Sequence, residues 1–155
     1  MIISVDFDGT VVRQDRSYGD TTTPLRLMPL AREGLRALKA AGHQLILSSA
    51  RANLALRLDP ELDPLVRAGK KTVRRADWEA AQPTHAARYA QMLAFVTKHL
   101  PDSFDAIDDG TCGKLVADIY IDDRATRFGV GLSGMDWPAV VRRYGSLLRP
   151  MALHG

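Results

Sequence analysis

Residues 1–10, MIISVDFDGT, are the stretch on which the fold turns. The run is apolar and β-prone up to Val5, then crowds Asp6 and Asp8 two positions apart and follows them with Gly9 and Thr10. A short, nearly continuous apolar run reads as a strand buried on both faces, so MIISVDF is expected to be one. Two carboxylates at its end have two readings. They shape a turn, or they serve a cation and a nucleophile.

The rest of the chain supplies the partners such a strand needs. Residues 9–23 are polar and rich in Gly, Thr, Arg and Asp, marking a loop or small hairpin. PLAREGLRALKAAGH (29–43) predicts a helix, with Pro29 in its first turn, Leu30, Leu35 and Leu38 near helical spacing and Gly42 as its C-cap. QLILSSA (44–50) predicts a second buried strand. Segment 52–82 is less regular, with helical stretches at Leu54–Leu58 and Leu62–Ala68 and the basic run KKTVRR (70–75). PTHAARYAQMLAFVTKHLP (83–101) predicts a helix that Pro83 starts and Pro101 stops. FDAID and VADIYIDD predict further short strands. DWPAVVRRYGSLL (136–148) predicts a closing helix capped by Asp136, with Pro138 in its first turn. The alternation implies an α/β fold with a mainly parallel sheet.

In such sheets ligands bind beyond the carboxyl ends of the strands. Asp6 and Asp8 end the first expected strand, Ser48 and Ser49 the second, and Asp122 and Asp123 the strand DIYI. Three polar clusters therefore fall along one edge. DFDGT, LILSSAR, Lys114 in CGKL and IYIDDR occur in that order. The chemistry that needs this set is phosphoryl transfer through an aspartyl-phosphate. A carboxylate attacks phosphorus only when its own charge and the phosphate's are neutralised, which requires Mg2+. A second carboxylate can protonate the leaving oxygen and then deprotonate water. A hydroxyl and a lysine hold the phosphoryl oxygens.

These four elements resemble the motifs of the haloacid dehalogenase superfamily of phosphohydrolases, spread from residue 6 to residue 123. The stretch KLVADIYIDDRATRFGVGLSGMDW also resembles small capless bacterial and phage members. The resemblance implies a three-layer α/β sandwich with a Rossmann-like sheet, one domain over 1–155 and no large cap. It implies Asp6 as nucleophile and Asp8 as general acid/base, with the Asp8 backbone carbonyl also on Mg2+. Asp123 becomes a direct metal ligand, with Asp122 beside it holding Lys114 or a metal-bound water. Ser49 is chosen over Ser48 as the phosphate-binding hydroxyl, since members with LWS or WT before a variable residue and Arg place it there. The interval from Arg51 to Lys114 is longer than in the smallest relatives, and the gap from Thr10 to the helix at Pro29 is too short for a helical cap domain. Any cover over the site is then the 11–23 loop, an insert at 52–82, or a neighbouring subunit in a homo-oligomer.

Composition sets the outer bounds. The chain has 155 residues, 46% hydrophobic and 25% charged, with net charge +3. That balance is mildly basic, short of a nucleic-acid signature but hospitable to anionic substrates. No apolar run approaches the roughly 18 residues of a membrane span. No basic segment with an apolar core opens the chain, so no signal peptide is expected, and a cytoplasmic location follows as the default. Cys112 is the one cysteine, which excludes an internal disulfide. Asp108 and Asp109 in AIDDGT lack the Asp-x-Asp spacing and read as turn acids. Arg51 and Arg124 read as partners of nearby carboxylates. His43, His85, His99 and His154 show no metal-ligand spacing and read as surface or packing residues, and Trp78 and Trp137 as packing anchors.

The expected activity is Mg2+-dependent hydrolysis of a small phosphorylated metabolite such as a sugar phosphate. A second reading is a nucleic-acid 3′-phosphatase like those of polynucleotide kinases, though the chain has no kinase P-loop. A third is a receiver-like phospho-acceptor module. Motif order speaks against it, because a receiver has its acidic pair first and its acceptor Asp mid-chain.

Overall fold

The computed structural model describes residues 1–111, 115–124 and 135–145. Its sheet has four parallel strands, β1 (Ile2–Asp6), β2 (Gln44–Ser48), β3 (Ala106–Ile107) and β4 (Ile119–Ile121), in the order β3-β2-β1-β4. The fold is α/β, as the alternation of elements implied, and no large cap stands over it among the described residues. Central β1 buries Ile3, Ser4 and Val5 in succession, so both its faces are covered. Its register sets Asp6 opposite Ser48 and Val5 opposite Ile121. Because the strands run parallel, their acidic and hydroxyl ends reach one edge together.

Helix α1 (Ala31–Ala40) buries Ala31, Gly34, Leu35 and Leu38, a stripe at helical spacing. It ends as expected at Gly42, whose φ is 80°. Gly42 N–H donates to Lys39 O at 2.9 Å and His43 N–H to Leu38 O at 3.2 Å, the paired bonds of a Schellman cap. Its start differs from the expectation. Pro29 precedes the helix, because Leu30 takes a left-handed conformation (φ 61°) at the N-cap and is 53% exposed. Met28, rather than Leu30, enters the core.

Segment 52–82 holds two short helices, α2 (Leu54–Arg57) and α3 (Pro64–Arg67), near the expected stretches. The long helix α4 (Arg75–His99) begins eight residues before the expected start, with Pro83 inside it. Proline removes one backbone bond there. The preceding RADWEAAQ is rich in helix formers, however, and its Trp78 is buried and donates Nε1–H to Ala55 O at 3.2 Å. Tertiary anchoring carries the helix through the proline. Helix α4 reaches the core by Met92, Phe95 and Val96.

Helix α5 (Trp137–Tyr144) is capped as expected by Asp136, whose Oδ1 accepts from Ala139 N at 3.0 Å. Trp137 is wholly buried, and its Nε1 donates to Thr10 O at 2.9 Å. Helices α1 and α5 meet where Gly34 faces the Trp137 ring. A Cβ at Gly34 would lie 3.0 Å from Trp137 Cδ2 and closer still to Cε3. Gly→Ala inside a helix ordinarily stabilises by about 0.5–1 kcal/mol. Here Gly34→Ala is expected to destabilise by about 1–3 kcal/mol through overpacking. Urea denaturation checks this, and a gain in stability would show that the contact yields freely.

Candidate active site

The loop leaving β1 is shaped around its acids. Val11 and Val12 N–H both donate to Phe7 O, at 2.9 and 3.0 Å, and Gly9 N–H donates to Val12 O at 2.8 Å. Gly9 adopts φ 83°, and a Cβ there would lie 2.7 Å from Asp123 Cγ and closer to Oδ2. Both the backbone angle and the approach of Asp123 therefore demand glycine. Thr10 is wholly buried. Its Oγ1 accepts from Asp123 N–H at 2.9 Å and lies 3.5 Å from Asp6 Oδ2, fastening the end of β4 to the end of β1.

That fastening gathers the acids. One carboxylate oxygen from each of Asp6, Asp122 and Asp123 lies within 4.8 Å of the others. Burial, with the charges of Asp122, Asp8 and Asp123 adding to it, pushes the Asp6 carboxyl up to about 8. Asp123 is raised as well, by burial first and then by Asp122. All the donors are hard oxygens, the class that suits Mg2+ rather than a softer metal. The residues fit such an ion, with Asp6, Asp122 and Asp123 offering carboxylates.

The Asp8 carboxylate stands outside that group. Arg51 Nε and Nη2 donate to its two oxygens at 2.8 and 2.6 Å. Arg51 is the carboxylate partner the sequence suggested, and it is also a buried hub. Its Nη1 donates to Arg88 O at 3.0 Å and Gln91 Oε1 at 3.2 Å, and its guanidinium lies 5.2 Å from the centre of the Phe7 ring. The ends of β1 and β2 and the middle of α4 are joined through this one side chain.

A cavity of about 500 Å3 opens above these groups and is lined by Asp6, Asp8, Ser48, Ser49, Asp122 and Asp123 among others. Ser49 Oγ accepts from Arg51 N–H at 3.2 Å, which leaves the hydroxyl proton free to donate. Ser48 ends β2 opposite Asp6. Lys114 and Cys112 lie outside the described residues, as does His154. Asp108 and Asp109 are turn acids, accepting from Gly110 N–H and Thr111 N–H at 2.9 Å each. Arg124 lines the cavity too, and its N–H donates to Asp122 Oδ1 at 2.8 Å.

Several cavity residues escaped the sequence reading. Gln14 and Tyr18 come from the loop after β1, Leu56 from α2, and His85 and Arg88 from α4. Of the two roles expected for it, surface or packing, His85 takes the packing one. It is 3% exposed, and its Nδ1 lies 2.7 Å from Tyr18 Oη. The available signal was the spacing on α4, whose buried stripe runs His85, Arg88, Met92, Phe95, Val96. Two polar side chains fall on the inward face. Gln91 extends the contact, its Nε2 donating to Thr21 O and Thr23 O at 3.2 Å each. The loop after β1 is thereby pinned against α4.

No protein-family model matches the chain, and no curated protein matches it. Among solved structures, it is similar to a conserved protein from Bacteroides thetaiotaomicron, at 24% identity and a TM-score of 0.46, over 90% of this chain and 85% of that one. Among the described residues no helix is long and apolar enough to cross a membrane.

The raised Asp6 carboxyl makes stability depend on pH. In metal-free protein the folded state holds the Asp6 proton up to about 8, whereas the unfolded chain releases it near 3.8. The stabilisation is complete at the acid end and is lost as pH rises through that interval. Chelator-treated protein is expected to lose Tm between about pH 5 and 8 relative to Asp6→Asn, and Mg2+ to raise Tm more at pH 8 than at pH 5. Thermal melts of both proteins check this. Parallel pH curves for the two would contradict it.

Proposed function

We propose that this chain is a Mg2+-dependent phosphomonoester hydrolase working through an aspartyl-phosphate on Asp6. The observation that carries the reading is the convergence of three carboxylates within 4.8 Å, beside a cavity that Asp8, Ser48 and Ser49 also line. The resemblance of DFDGT, LILSSAR and IYIDDR to phosphohydrolase motifs supports it independently. The Asp6, Asp122 and Asp123 carboxylates, with the Asp8 backbone carbonyl, would hold Mg2+, which supplies charge neutralisation for an anionic nucleophile and an anionic substrate.

The residues then divide the work. An Asp6 oxygen attacks phosphorus in line with the ester oxygen, the P–O ester bond breaks, and Asp8 gives its proton to the departing oxygen. Asp8 next takes a proton from water, whose oxygen attacks the aspartyl-phosphate and frees inorganic phosphate and the Asp6 carboxylate. To carry that proton, Asp8 releases one oxygen from its fork with Arg51. The Ser49 hydroxyl and, in the sequence expectation, the Lys114 ammonium hold the phosphoryl oxygens against the charge that spreads over them.

Two observations support a small phosphorylated substrate over a 3′-phosphorylated nucleic acid end. None of residues 70–75 lines the cavity, and Lys71, Arg74 and Arg75 pair with Asp63, Asp77 and Glu79 at 3.0, 2.7 and 2.9 Å. The test is a screen of sugar phosphates, nucleotides and 3′-phosphorylated oligonucleotides, with Mg2+ and with excess chelator. Hydrolysis is expected with Mg2+, abolished by chelation and restored by added Mg2+. Undiminished turnover in chelator would sink the proposal.

A further inference from the structure

Phosphoryl transfer employs the carboxylates of the cavity and leaves the wall beside Asp8, on α4, without a task. That wall is cationic. Arg88 is 9% exposed and lines the cavity, yet Asp8 gives both its oxygens to Arg51. Arg88 Nη2 stops 3.8 Å from Asp8 Oδ2, beyond hydrogen-bond length. Arg88 Nη1 donates to Tyr18 O at 3.1 Å, and its Nε is buried with no hydrogen-bond partner among the described residues. Burial first, then Arg51 and Arg16, lowers the Arg88 pKa, against the opposing influence of Asp8 and Tyr18. Two guanidinium groups thus share one carboxylate in a poorly solvated wall. Among the described residues the carboxylate paired with Arg88 is Asp8, already forked by Arg51, and an anion brought by a ligand would relieve that sharing.

The wall is also built to hold its shape. The Arg88 guanidinium lies 4.7 Å from the centre of the Tyr18 ring, and Tyr18 Oη meets His85 Nδ1 at 2.7 Å. Burial, then Arg88, Arg57 and Arg51, lowers the His85 pKa. His85 and Tyr18 are positioning residues. Arg88 offers the charge. A cavity of about 500 Å3 exceeds the needs of a phosphoryl group, so a leaving group has room to reach this wall.

We propose that Arg88 binds a second anionic group, phosphate or carboxylate, carried by the leaving group, so that preferred substrates are small monoesters bearing one anion besides the phosphate removed. This rests on the phosphatase reading for what is cleaved, though not for what binds.

The test uses two matched pairs, fructose 1,6-bisphosphate against fructose 6-phosphate and 3-phosphoglycerate against glycerol 3-phosphate. Calorimetric titration of the Asp6→Asn protein with Mg2+ is expected to show about tenfold or tighter binding of the anion-bearing member in at least one pair, as one charge-assisted contact allows. The pair showing the preference identifies phosphate or carboxylate. Introducing Arg88→Gln, Arg88→Met or Arg88→Lys should shrink the ratio, least for Lys, and the result is read in whichever variants fold. A merely structural Arg88 would weaken both members equally; an unchanged ratio, or a wild-type ratio near one, overturns the subsite. In the active chain the same preference should appear in kcat/KM. Turnover of every ester without preference overturns the subsite alone. An Arg88-dependent preference without turnover of any ester supports the subsite and removes the phosphatase reading.

Discussion

Three carboxyl groups, one oxygen of each within 4.8 Å of the others, crowd one partly buried edge, and the site is organised around containing that crowding. Sheet topology forces the crowding, since β1 sits between β2 and β4 and all run parallel. Their polar ends have nowhere to go but one edge. The containment is local and specific: Thr10 ties the two acidic strand ends through one hydroxyl, and Gly9 leaves the room that Asp123 fills. Asp6 nevertheless keeps a carboxyl pushed up to about 8, by burial first and then by the neighbouring acids.

Arg51 sets the second constraint. By forking onto Asp8 and donating to the Arg88 carbonyl and Gln91, it fixes α4 against the sheet edge. Helix α4 in turn anchors the loop after β1 through Arg88 and Gln91. The same contacts that position Asp8 therefore shape the cavity wall beside it. Truncating Arg51 would strand a carboxylate and loosen three elements together.

The sheet and the carboxylate edge were legible because their signals are local. Apolar runs that stop at acids, Gly42 after a helical stripe, and Asp-Pro spacing at Asp136 each act within a few residues. What was not legible depends on distant packing. Pro83 signalled a helix start, and Trp78 docking on Ala55 O overrode it. Leu30 sat at helical spacing, yet its left-handed backbone turned it out of the core. His85 and Arg88 looked like ordinary helix residues, because only the inward face of α4 brings them to a cavity whose other walls are far away in sequence. The competition between Ser48 and Ser49 was legible as a pair, with Ser49 capping the following turn and both reaching the cavity.

Everything proposed about chemistry meets at the division of labour between Asp6 and Asp8. Rapid-quench labelling with a radiolabelled activated phosphate ester measures it directly, because such a leaving group scarcely needs the proton that Asp8 supplies. The Asp8→Asn protein is expected to take up phosphate on Asp6 and then stall, and the Asp6→Asn protein to take up none. Label on the Asp6→Asn protein, or none on either while the wild type turns over, would contradict the assignment.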